Sequence, residues 1–202
     1  MNQRKFKNVT KADNKVLSEK FSFLLKYNEH CTTNDFSWAA ITIFDHWLYE
    51  TDSFGVIENA TETQKREWDI TIKSFLSKLT KLEVPLKYKY VGRNAYQKLQ
   101  FSSYIDDQHV SEYLSEQFDE VYSPNIVFPR LGVELWFQDN WTIHFKYLSP
   151  EQCFDMFKLV SELGLHILPA YCADHLNDYS NLSSFLSDNG LTSTLAKIKS
   201  SL

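Results

Sequence analysis

Nine residues separate a glutamate from a histidine in VELWFQDNWTIHFKYL, residues 133–148, and Glu134 and His144 are the two side chains best suited to exchange a proton. A carboxylate within a few ångströms of an imidazole stabilises the charged ring, which tunes one group as acid and the other as base. Whether they meet depends on the turn between them. A two-residue turn at Asp139 and Asn140 would mix apolar and charged residues on both faces of the hairpin. A three-residue loop, Gln138 to Asn140, instead pairs Phe137 with Trp141, Leu135 with Ile143 and Val133 with Phe145, gathering the large apolar groups on one face. Asn140 is the non-glycine type that best accepts the left-handed conformation such a loop ends on. In that register Glu134 faces His144 and Trp136 faces Thr142, with Lys146 near. The pair is then a candidate acid and base for catalysis, or an ordinary cross-strand salt bridge.

Other reactive types are less well placed. Cys31 follows His30, but adjacent residues rarely orient as a thiolate dyad. Cys172 and His175 have C-x-x-H spacing with His166 nearby, yet a structural zinc site takes four ligands and no second half is present. Asp45 and His46 lie side by side in FDHWLY, where His46, on a mostly apolar segment, reads as a hydrogen-bonded core or boundary residue and not as a base. The chain contains no G-x-G-x-x-G, Walker A, H-E-x-x-H, C-x-x-C, G-x-S-x-G or EF-hand pattern, so neither a cofactor nor a metal is expected.

Charge is distributed unevenly. Residues 1–98 hold 16 Lys/Arg against 12 Asp/Glu, and residues 99–202 hold 5 against 14. No Lys or Arg occurs from Phe101 to Phe128. Within that stretch Glu112, Glu116, Asp119 and Glu120 fall on one side of an amphipathic helix, opposite its apolar stripe. Such a band is either a solvated helix face or a docking surface for a basic protein. Trp136, on the outer sheet face with His144, would serve as an aromatic anchor unless the N-terminal part of the chain covers it. A nucleic-acid partner is not expected, because phosphate binding requires a basic stripe. An open sheet with Trp136, His144 and Lys146 would suit RNA, but Glu134 and the acidic half oppose that reading.

The elements that must position these groups follow from periodicity. Val16, Leu17, Phe21, Leu24 and Leu25 have helical spacing, and so do Phe36, Ala39, Ala40, Ile43, Phe44, Trp47 and Leu48. Thr61 and Gln64 form a capping-box pattern ahead of a helix that runs to about Leu82, before Pro85. LKYKYVG and KLQFSSYI alternate as strands, a helix spans DDQHVSEYLSEQFDEV, and NIVFPRLGVELWF and WTIHFKYL are strands, the first bent at Pro129 and Gly132. Ser149, Pro150, Gln152 and Gly164 bracket the next helix, LHILPAY is a strand, and Asn189 and Gly190 break the tail into two short helices.

This order predicts an α+β fold, a mainly antiparallel sheet with helices packed on one face. Residues from about 99 to 171 would follow a ferredoxin-like βαββαβ order within a sheet lobe, 85–202, beside a mostly helical N-terminal lobe, 1–84, in a single globular domain. The composition, 43% hydrophobic with 15 Phe, 11 Tyr and 5 Trp, suits a compact aromatic-rich core. No apolar h-region follows the basic N-terminus and no stretch approaches a membrane span, and three cysteines without framework spacing fit a cytoplasmic protein. The expectation is a small cytoplasmic binding or regulatory protein, immunity- or antitoxin-like in size and charge alone, that neutralises a basic protein partner. The alternative is an enzyme with Glu134 and His144 in a pocket between lobes.

Overall fold

The computed structural model describes residues 5–26, 36–48, 54–92, 98–106, 109–120, 124–138, 140–169 and 176–195. Eight strands form one antiparallel sheet: β1 (Phe6–Asn8), β2 (Ser37–Thr42), β3 (Leu86–Val91), β4 (Lys98–Tyr104), β5 (Ile126–Phe128), β6 (Val133–Gln138), β7 (Thr142–Tyr147) and β8 (His166–Pro169). Their spatial order is β1-β4-β3-β5-β6-β7-β2-β8. Six α-helices accompany it among the described residues: α1 (Lys11–Lys20), α2 (Gly55–Glu58), α3 (Glu62–Leu82), α4 (Val110–Asp119), α5 (Phe154–Glu162) and α6 (Leu176–Asp188).

The α+β class and the antiparallel sheet are as the sequence predicts, but the ferredoxin-like order is not. That order would set β8 beside β4, whereas β8 pairs with β2, and β4 lies between β1 and β3. The helical N-terminal lobe is likewise corrected, because residues 1–84 give the sheet both an edge strand, β1, and an interior strand, β2. The segment predicted as a helix over residues 36–48 holds β2 between β7 and β8. A strand buried on both faces is apolar along its whole length, so its residues also fall at helical spacing.

Both faces of the sheet carry packed layers, the core face being left open at its β1–β4–β3 end. On one, Ile41, Ile126, Val133, Leu135, Phe137, Ile143, Phe145 and Ile167 pack under Ile72, Phe75, Leu76 and Leu79 of α3, Leu114 and Phe118 of α4, and Met156, Phe157 and Val160 of α5. On the other, Phe21, Phe23 and Leu24, in and beside a 3₁₀ turn after α1, cover Tyr88, Leu99, Phe101 and Val127. Helices on a single face were expected, and α1 with its following turn lies on the second face.

Local chemistry sets the boundaries. Thr61 and Gln64 make the predicted capping box at the start of α3. The predicted bend at Pro129–Gly132 is a complete reversal, so that β5 and β6 pair antiparallel as separate strands. Gly132 has φ +65 and an added Cβ would lie 2.5 Å from the Gln152 carboxamide oxygen. The helix predicted from Ser149 begins as a turn and becomes α-helical at Phe154, with Gly164 left-handed after its end. No helix of the described residues is long and apolar enough to cross a membrane.

The position of β2 gives a direct test. Ile41→Ala removes a fully buried side chain and should cost about 2–5 kcal/mol in urea denaturation. Val16→Ala, at a residue 63% exposed, should change stability by less than about 0.5 kcal/mol. Similar costs for the two would contradict an interior β2.

Candidate functional site

Strand alternation sends Glu134, Trp136 and Gln138 of β6, and Thr142, His144 and Lys146 of β7, to the face opposite the main core. Phe137 and Trp141 both pack against the main core, as the predicted segregation requires. The register differs from the prediction by two residues: Glu134 lies opposite Lys146, Trp136 opposite His144, Leu135 opposite Phe145 and Phe137 opposite Ile143. The connection is residues 139–141 and not 138–140. Asn140 is left-handed as predicted, at φ 63, and so is Trp141, at φ 54. A left-handed tryptophan is strained by about 1–3 kcal/mol. Trp141 is held there by α3, where its indole N–H donates to Asp69 Oδ1 at 2.7 Å and its ring meets Trp68 edge-on at 4.8 Å.

Glu134 and His144 therefore share a face but are bonded to different groups. Glu134 is 5% exposed and Lys146 6%, with Lys146 Nζ 3.5 Å from Glu134 Oε2. The Tyr88 hydroxyl donates to Glu134 Oε1, and the Lys146 ammonium lies 5.1 Å from the Phe36 ring centroid and 5.7 Å from that of Trp38. Burial raises the Glu134 pKa against the opposing pull of Lys146 and Tyr88, and burial lowers the Lys146 pKa against the attraction of Glu134. Tyr88 is pushed well above its ordinary range, first by burial and then by Glu134, and so stays protonated as a donor.

His144, 2% exposed, is enclosed by three indoles with ring centroids at 5.4 Å (Trp136), 5.7 Å (Trp38) and 5.8 Å (Trp47). Two features of the sheet build this enclosure. Ala40 is the residue opposite His144 on β2, and its single methyl leaves room for Trp47 to stack on the imidazole. Trp38 and Trp136 come from the strands on either side of β7 and stack at 5.9 Å. His144 Nε2 is bonded to the Gln138 side-chain oxygen, which makes it the protonated nitrogen. Burial lowers its pKa from 6.5 to about 4, so the ring is neutral at pH 7. The imidazolium expected beside a carboxylate does not form, because Lys146 and Tyr88 take that carboxylate.

At the end of this face a cavity of about 50 Å³ is lined by Thr42, His46, Gln138 and Thr142 among others, a volume for one or two waters. Asp45 Oδ1 lies 2.7 Å from His46 Nδ1, which gives His46 a hydrogen-bond partner at this boundary. The other predicted residues lie elsewhere. Glu112, Glu116, Asp119 and Glu120 are exposed on α4 or just after it, with Asp119 held at 2.8 Å by Lys73 of α3. Because α4 packs on the main-core face and Trp136 lies on the opposite one, the five residues predicted to bind a partner cannot form one surface. Trp136 is half-buried against the chain's own Trp38. Tyr88 and Trp38 are site members the sequence reading missed, since only the pairing of β3 and β2 into the sheet brings them here.

Cys31, His30, Cys172 and His175 lie outside the described residues. Among the described residues no three His, Cys, Asp or Glu side chains converge as a metal site requires. Fold and site together define an α+β protein whose broad antiparallel sheet is closed on both faces over a buried ion pair. Comparison of the chain with protein-family models, curated proteins and solved structures gave no match.

Two measurements test this site. Lys146→Met leaves Glu134 buried without its cation and should destabilise by about 3–5 kcal/mol, with much of the loss recovered in the Glu134→Gln/Lys146→Met double variant; simple additivity would show that the two do not interact. The second is pH dependence. A histidine whose folded pKa is below its unfolded one stabilises fully above its ordinary pKa, and the contribution fades as pH falls towards 4, by about 3 kcal/mol in all. The raised Glu134 works the other way, its contribution being present at low pH and lost as pH rises through its folded value. The stability difference between the wild type and His144→Phe should therefore shrink between about pH 7 and pH 4, and a constant difference would show that the ring is not held neutral.

Proposed function

We propose that the protein is a cytoplasmic binding or regulatory protein that docks a basic protein partner through the acidic outer face of α4, as an immunity or antitoxin protein does when it neutralises its target by occlusion. The observation that carries this reading is the exposed row Glu112, Glu116 and Glu120, with Asp119 beside it. Lys73, paired with Asp119, is the one cation within ion-pair distance of these four among the described residues. Apart from Asp119, paired with Lys73, and Glu112, in the first turn of α4, the carboxylates repel one another, and their field speeds encounter with a positive surface. The same field disfavours a nucleic-acid partner on this face. Trp136 takes no part, being on the far side of the sheet.

The enzyme reading has less support. Its acid and base face different partners, and the cavity beside His46 holds no more than water. An enzyme working through that face would need Trp38, Trp47 and Trp136 to part.

The test is capture from the source lysate by the wild-type chain and by Glu112→Lys/Glu116→Lys, followed by titration with the purified partner. The expected outcome is a defined basic protein bound by the wild type, with affinity falling at least about tenfold in the variant and also falling with salt. A partner held equally by both chains would place the interface elsewhere.

A further inference from the structure

Along the core face of the sheet, side chains change character from β5 outwards. Ile126 on β5 belongs to the main core. Its neighbour on β3 is Lys87, which lies opposite Ser102 on β4, and Ser102 lies opposite Asn8 on β1. One row along, Lys89 faces Gln100. The helices cover the apolar end, and beyond Tyr113 of α4 the polar end forms an open cavity of about 320 Å³ lined by Lys5, Phe6, Asn8, Lys87, Lys89 and Gln100. No Asp or Glu lines it.

Three lysines, Lys5, Lys87 and Lys89, thus line one concave site. None of the three has a carboxylate within ion-pair distance among the described residues. Lys87 is placed by neutral groups: its Nζ is 3.4 Å from the Tyr113 hydroxyl and lies 4.9 Å from the Phe6 ring centroid and 5.8 Å from that of Tyr113. Rings that hold a cation without neutralising it leave its charge available to a ligand. The Ser102 hydroxyl donates to Asn8 Oδ1 at 3.0 Å, which fixes the amide and leaves its N–H groups as further donors.

Lysine ammoniums bind phosphate as point charges, and three lysines along an acid-free cavity create a positive potential that suits a multiply charged anion. The volume is at the lower end of small-molecule sites, which are roughly 300–1,000 Å³. We propose that this cavity binds a small phosphate ester, of the size of a sugar phosphate or a nucleoside monophosphate, with its phosphate on Lys5, Lys87 and Lys89 and its organic part against Phe6. The site is independent of the docking face of α4 and stands or falls separately from it.

The test is calorimetric titration of the full chain with AMP, ribose 5-phosphate, inorganic phosphate and sulfate. Saturable binding of at least one ester, weakened about tenfold by Lys87→Gln and by Lys5→Gln/Lys89→Gln, supports the proposal. The second variant changes two exposed residues and keeps the aromatic packing of Lys87, so a loss there is not a folding defect. Three results would overturn it: no saturation by either ester in the millimolar range, inorganic phosphate or sulfate binding as tightly as the esters, or a single-stranded RNA displacing the ester with higher affinity, which would make the surface a nucleic-acid one.

Discussion

Interior strands of a sheet packed on both faces withdraw most of their side chains from water, and in β6 and β7 all are buried but Gln138, which is exposed, and Trp136, which is half-buried. Period-two alternation sends Val133, Leu135, Phe137, Ile143, Phe145 and Tyr147 into the main core, and by the same geometry sends Glu134, His144 and Lys146 into a second buried layer. Every polar group there must find a partner within the protein, because an unpaired buried charge costs several kcal/mol. The Glu134–Lys146 pair, the Tyr88–Glu134 bond and the Gln138–His144 bond supply the partners of the charged groups and of the imidazole Nε2. Their chemistry is that of a closed structure, in which burial holds His144 neutral and desolvation pushes Glu134 and Lys146 towards their uncharged forms.

Much of this was legible in the sequence, but not at every level. The face each hairpin residue occupies could be read from alternation, as could the cap of α3, the left-handed Asn140 and the exposed carboxylates of α4. The register could not, because a slip of two residues preserves every face and therefore every apolar argument. What distinguishes the two registers is the connection, and there Trp141 takes a left-handed backbone that no propensity would assign to tryptophan. Its stabilisation comes from Trp68 and Asp69 on α3, far away in sequence. β2 was obscured for a related reason: FSWAAITIF serves two buried faces at once and loses the alternation that marks a half-exposed strand. The strand order was beyond reach, since nothing local states that β8 pairs with β2.

The arrangement also separates the chain's charges by function. The acidic carboxylates of α4 are exposed and the paired charges of β6 and β7 are buried, while Lys5, Lys87 and Lys89 collect where the helices end and the sheet is left uncovered. Net charge, at −5, conveys none of this. A basic first half and an acidic second half suggest two lobes of opposite sign, yet β1 and β3 bring first-half lysines within one strand of β4 from the second half. Electrostatic character is a property of faces here and not of segments.

A buried ion pair contributes little net stability, and apolar residues of the same size often stabilise as well or better. The presence of one in the middle of this sheet is better explained by what it excludes. In the register shifted by two, Glu134 would stand opposite His144 and Lys146 opposite Gly132, so that Lys146 would lose its facing carboxylate. The apolar face would be nearly indifferent to the change, with Leu135 meeting Ile143 in place of Phe145. The apolar layer therefore chooses which side of β6 and β7 faces the helices, and the ion pair chooses between alignments the apolar layer cannot tell apart. Coiled coils use a single buried polar residue in the same way, to fix register at a cost in stability. Glu134 and Lys146, the two charges that look most like chemistry on this face, are by this reasoning what sets the alignment of the strands that carry them.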